Sequence, residues 1–339
     1  MLTKERTLWV DSCRFFAIFV IMCTHFLAAF FPGALSLWEE GAVSWLLYGL
    51  TGKFSVAFFF VLLGYFASRA DKFSLPGFLR YGAKRYLHFA FFVFVCTALY
   101  IAACYGCTWL FHSPGDDALR VISDGLGYNL VCLLRDSLLF EDNYNGTLWC
   151  LQQLFIASLV CRALGYIPGQ LGFNKRLCIA LVLMAALLLI NADYCVWICA
   201  AVLGWVLRLV TEREGNTPRP VIILALIAAL LLIKIRMAEC PLQYAMQALA
   251  AALLIFAQFN MPRVQRILSH RPFPWLGGIS MGLFVVHTPI NAVLASSFFP
   301  LAGRVLPGAL AGIIGFVLST ALSIGCAWIL HRTYSLITK

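Results

Sequence analysis

Residues 9–31, WVDSCRFFAIFVIMCTHFLAAFF, form an apolar run long enough to cross the hydrocarbon of a bilayer as a helix, yet they carry Arg14 and His25 within it. At about 100° per residue the eleven steps between these two turn roughly 1100°, which returns to nearly the same helix face. Along the axis they stand about 16 Å apart. An ionisable residue inside a membrane-length run is expensive to keep, so it points first to a functional site. Asp11 lies three residues before Arg14 on the same face and is placed to hold its orientation.

Working outward, the chain is 62% hydrophobic and only 12% charged over 339 residues, too little polar surface to coat a water-soluble globule. Apolar segments recur near 13–31, 44–66, 87–107, 147–164, 177–191, 193–210, 219–236, 242–259, 275–298 and 305–330. They predict an all-α polytopic transmembrane bundle of about ten helices, one integral-membrane domain over 1–339 with no appended soluble domain. With those spans, 19 of the 25 Lys and Arg residues fall on the side of the N-terminus, which predicts that both termini are cytoplasmic. A cleavable signal peptide is the rival reading of residues 1–36.

The net charge of +10 therefore belongs mainly to a membrane face and is no argument for a nucleic-acid partner. No Walker loop, dinucleotide fingerprint or zinc spacing occurs, and no metal is expected. The thirteen cysteines sit mostly inside apolar runs, where they act as small hydrophobes. The longest outer segment, 108–146, collects Asp116, Asp117, Asp124, Asp136, Glu141, Asp142, Asn143 and Asn145 around LGYNLVCLL. It is too long for a plain connector and is read as a re-entrant or surface-lying lid near a polar acceptor.

Four segments in order extend the pattern: Arg14 with ten residues before His25, the FFF run ending in Gly64-Tyr65, GTLWCLQQLF at 146–155, and LGGISMGLFVVHTPI at 276–290. Together with the basic stretch after residue 70 they resemble the membrane-bound acyltransferase-3 family over essentially the whole chain. The sequence departs from that family's common residues at Leu63 (serine), at Phe284 (tyrosine), and at His88 with Ala90 (Arg-x-Pro). The fourth span carries Gln152 and Gln153 but no carboxylate.

The resemblance implies acyl transfer, commonly of acetyl from cytosolic acetyl-CoA as co-substrate, to a hydroxyl of a glycan or lipid-linked cell-envelope acceptor. It places the chain in a bacterial cytoplasmic (inner) membrane. His25 is then the expected general base, oriented with Arg14 and Asp11, or alternatively the nucleophile of an acyl-histidine. Arg14, Arg80, Lys84 and Arg85, with Ser55, are the expected donor-binding residues, since arginine offers a fork of donors to phosphate oxygens. His287, Trp149, Gln153 and Asn143 are the candidates for the acceptor, and Pro289 should kink the last motif and free a backbone carbonyl. Association with a second copy of the chain stays open. A secondary transporter is the competing class, although matching broken helices in the two halves are not evident from the sequence, and a non-catalytic membrane protein that keeps the acyltransferase fold is the third reading.

Overall fold

The computed structural model describes residues 5–31, 52–67, 73–111, 116–168, 170–213, 217–235 and 240–338. Among them every regular element is helical. The first group is α1 (Glu5–Phe30), α2 (Gly52–Tyr65), α3 (Leu75–Phe111), α4 (Asp116–Ser123), α5 (Gly125–Leu139) and, after a 3-10 turn at Leu148–Cys150, α6 (Leu151–Leu164). The second is α7 (Phe173–Ile190), α8 (Ala192–Arg213), α9 (Arg219–Lys234), α10 (Pro241–Phe259), α11 (Pro262–Leu268), α12 (Phe273–Gly278), α13 (Ser280–Ser296), α14 (Phe298–Ala302) and α15 (Gly308–Ile337). Seven helical segments among the described residues are long and apolar enough to cross a membrane: α1, α3, α7, α8, α10, α13 with α14, and α15. The shorter apolar α2 and α6, and α9, cover the remaining three expected spans, so the estimate of about ten is approximate. The expected start of the second span, 44–51, lies outside the described residues.

Packing follows from where the small residues fall. A Cβ on Gly64 would overlap the Ala201 carbonyl, and one on Gly204 would overlap the Val61 carbonyl, so α2 and α8 cross backbone to backbone. Membrane helices, lacking a hydrophobic drive toward each other, gain contact in this way. Gly277 presses likewise against the Asp11 carbonyl and seats α12 on the start of α1. The outward faces stay apolar; Leu189 is 88% exposed, as a lipid-facing surface requires.

The outer segment folds back along α3. Its apolar stretch becomes α5, which runs antiparallel to α3: the Asn129 amide donates to the Tyr105 hydroxyl at 3.2 Å near one end, and the Tyr86 hydroxyl donates to the Leu138 carbonyl at 2.8 Å near the other. From there α6 continues in the same direction, with Phe155 packed 5.9 Å from the Tyr86 ring. One path, interrupted at 140–147, thus lies along α3, whose 37 residues extend about 55 Å.

Such a break frees carbonyls that must find donors. Besides Tyr86 on Leu138, the Gln152 amide donates to the Leu139 carbonyl at 2.6 Å. On α13, Pro289 has no N–H to offer the Val285 carbonyl four residues back. Asn145 supplies it through Nδ2 at 2.8 Å, Cys96 adds its thiol at 3.2 Å, and Thr147 reaches the Phe284 carbonyl at 3.4 Å. The break in one path therefore caps the break in the other. Asn145→Ala and Asn145→Asp should each lower stability by about 1–3 kcal/mol, because neither side chain can donate to that carbonyl. Thermal unfolding in nanodiscs checks this, and an Asp variant as stable as wild type contradicts the capping role.

Candidate active site

A polar contact inside the bundle joins α1 to α13. His25 Nδ1 lies 3.0 Å from His287 Nε2, with the ring planes 25° apart and centroids 5.1 Å apart, an edge-to-edge hydrogen bond. His287 Nδ1 is in turn 3.0 Å from the Leu283 carbonyl. A carbonyl only accepts, so the network assigns the proton of His287 to Nδ1 and leaves its Nε2 a lone pair. His25 must then donate from Nδ1. Its own Nε2 is left without a proton, the form in which an imidazole can accept one.

Below this pair, toward the start of α1, opens a cavity of about 250 Å³. Arg14, Arg85, His88 and Ser280 supply its polar wall. Phe60, Leu63, Leu151, Leu154, Met281 and Phe284 supply much of the apolar wall. His25 does not line it; Phe284 does, and its ring centroid is 6.3 Å from that of His287, so Phe284 stands between cavity and histidine pair. Leu63, His88 and Phe284, three positions where the sequence departs from the resembled pattern, all face this one space.

Arg14 is held by Asp11 at 2.8 Å, as their spacing predicts. Arg85 lies with its guanidinium 4.6 Å from the centre of the Phe89 ring, and its Nε is buried with no hydrogen-bond partner. Two guanidinium groups in one cavity, one with an unmet donor, fit an anionic ligand. Arg80 and Lys84 are exposed on α3 and do not line the cavity; Ser55 is buried on α2 and does not line it either, whereas its neighbour Val56 does.

The candidates for the acceptor fall in three places. His287 pairs with His25. Trp149 lies in the 3-10 turn before α6 and Gln153 in the first turn of α6, with the Trp149 ring 5.4 Å from that of Trp197. Asn143 is committed within the interruption, donating to Asp136 at 2.7 Å and to Glu141 at 3.1 Å, with Glu141 paired to Arg135 at 2.8 Å. Sequence reasoning missed His88 as a lining residue and missed Asn145, Thr147 and Cys96 as the groups that fix α13 beneath His287. Pro289 gave notice that a carbonyl would be freed, but nothing local named its partner.

No group of three or more metal-ligating side chains occurs among the described residues. All thirteen cysteines are unpaired and most are buried. No curated protein and no solved structure matches the chain. A family model does match, the acyltransferase domain, over residues 7–332, and this span contains both histidines, both cavity arginines and the interrupted path. On that match the chain belongs to the acyltransferase-3 family and is a membrane acyltransferase.

Proposed function

We propose that the protein moves an acyl group, acetyl in the simplest case, from cytosolic acyl-CoA to a hydroxyl of a glycan or lipid-linked acceptor of the bacterial cell envelope, with His25 as general base. The observation that carries this reading is the hydrogen-bonded series from the Leu283 carbonyl through His287 to His25. It leaves His25 Nε2 able to take the acceptor's hydroxyl proton while the oxygen attacks the thioester carbon. The carbon–sulfur bond then breaks, and the same proton passes to the departing thiolate. Arg14 and Arg85 hold phosphate charge of the donor at the cytoplasmic end, and the arm of the donor extends along the cavity toward Phe284.

The direct test is thiol release from acetyl-CoA by protein in nanodiscs, with and without a crude envelope-glycan extract. Acceptor-dependent release supports the reading. No release with acetyl-CoA or with longer acyl-CoA donors sinks it. Arg14→Gln and Arg85→Gln should each raise the donor KM about tenfold or more, the loss of one charge-assisted contact of about 1.5–3 kcal/mol, with a smaller change in kcat. Unchanged donor KM in both variants moves the phosphate site elsewhere.

A further inference from the structure

Beside the start of α3, apart from the cavity of the two arginines, a second hollow of about 260 Å³ opens between α3 and α6. Its floor is Gly82 and Ala83; its walls are Phe78, Leu79 and Tyr86 of α3 with Phe155 and Leu159 of α6. The hollow begins where α5 stops. That helix lies along α3 as far as Tyr86, whose hydroxyl donates to the Leu138 carbonyl at 2.8 Å, and the Gln152 amide caps the Leu139 carbonyl next to it. Beyond that point the small side chains at 82 and 83 leave the space unfilled, and Leu79 is 59% exposed. From Phe78 to Tyr86 the hollow runs about 12 Å along the helix. The single polar group among the lining side chains, the Tyr86 hydroxyl, is spent on Leu138, so they offer a ligand only apolar contact.

Charge stands at one edge of this hollow. Successive residues of a helix turn by about 100°. Going round α3, Gly82 and Tyr86 come first, against Leu159 and Phe155 of α6. Leu79 and Ala83 follow on the open side, and Arg80 and Lys84 come next, one turn apart, on the edge away from α6. Both are exposed, and no carboxylate of a described residue pairs with either. Neither lines the cavity of Arg14 and Arg85, so the donor site leaves them unused.

The height suits a lipid headgroup. Arg85 shares its cavity with Arg14, which sets this part of α3 level with the beginning of α1, where the apolar runs end. Exposed cations at that level attract anionic lipid. A rule of membrane topology asks for positive charge on this face, but not for an apolar hollow beside it.

We infer that the hollow between α3 and α6 is a binding site for an anionic phospholipid of the bilayer, one acyl chain lying over Gly82 and Ala83 and the phosphate held by Arg80 and Lys84. A zwitterionic phospholipid brings the same chain and phosphate, but its ammonium group meets two cations of like sign. A free phosphate has no chain for the hollow. The site is independent of the transfer reaction, and it gives Arg80 and Lys84 a ligand other than the acyl donor.

The test places full-length protein in phosphatidylcholine nanodiscs with a small fraction of phosphatidylglycerol that bears a diazirine midway along one chain. After irradiation, peptide mapping should find the label within 78–86 or 155–159. Unlabelled phosphatidylglycerol should displace it, and the same amount of phosphatidylcholine should not. Arg80→Gln with Lys84→Gln should lower this labelling about tenfold or more. Ala83→Trp, which fills the hollow from an exposed position, should remove it, while the background on the lipid-facing peptide around Leu189 stays as in wild type. Labelling no stronger at the hollow than around Leu189, or equal in the charge variant, overturns the proposal. So does displacement by palmitoyl-CoA but not by phosphatidylglycerol, which would make the hollow a seat for a long acyl donor. Unfolding temperature checks that each variant is folded, and if Ala83→Trp is not, the charge variant decides alone.

Discussion

His25→Ala should lower acyl transfer by about 100- to 10,000-fold, the range removed when a positioned general base is lost, while leaving donor binding and nanodisc assembly unchanged. His287→Ala should cost less, because His25 remains but its Nδ1 proton loses the acceptor that holds the ring. The pH profile separates the two roles. In wild type and in His287→Ala the rate should still depend on one basic group, though at a shifted pH; in His25→Ala the residual rate should lose that dependence. Full activity in His25→Ala ends the assignment. A burst of thiol equal to the enzyme, released without acceptor and leaving a hydroxylamine-labile group, would convert the base into a nucleophile and replace direct transfer by a two-step route.

A loss of comparable size, in stability rather than rate, is expected from Gly64→Val. The side chain would meet the carbonyl of Ala201 and the backbone of Trp205, neither of which can turn aside. Overpacking commonly costs about 1–3 kcal/mol, and a backbone obstacle puts this case at or above the upper end. The variant should unfold at markedly lower temperature, and α8 should separate from α2, reported by a shift in the emission of the buried Trp197 and Trp205. Gly106→Ala on α3 is the control, since a Cβ there meets nothing within 4 Å. If both variants melt with wild type, the close crossing of α2 and α8 does not hold the bundle together.

Much of the bundle was legible because a membrane demands long apolar runs and the chain has them. The ends were less so. Hydropathy places the third span at 87–107, yet α3 begins at Leu75: Arg80, Lys84 and Arg85 mark where hydrocarbon stops, which is not where a helix must stop. The broken path was hidden for a related reason. The length of 108–146 suggests a re-entrant or surface-lying segment but not where it breaks, and Asp136, Glu141 and Asn143, in α5 and the turn after it, are bonded to one another and to Arg135.

Within the site, Arg14 with Asp11 could be read from a spacing of three on one helix. His25 with His287 could not, since 262 residues separate them and each presents only a local pattern. Ser55 shows how narrow the margin is. One residue along α2, a turn of about 100°, separates it from Val56, which does line the cavity. The sequence shows no matching broken helices of the kind a transporter would need; the structure does have breaks, but Asn145 and Thr147 tie them to each other beside the catalytic candidates.

The bond between Asn145 and the Val285 carbonyl joins residues made 140 positions apart. A ribosome emits the interrupted path long before α13 exists, so for that interval the turn at 140–147 has polar groups that lipid cannot satisfy. Until the late helix arrives, Asn145 and Thr147 lack the α13 carbonyls they bond in the finished fold. The order of synthesis thus makes α13 a condition for completing the turn at 140–147, and a fragment ending before residue 280 should be less stable than the full bundle, as its unfolding temperature in nanodiscs would report.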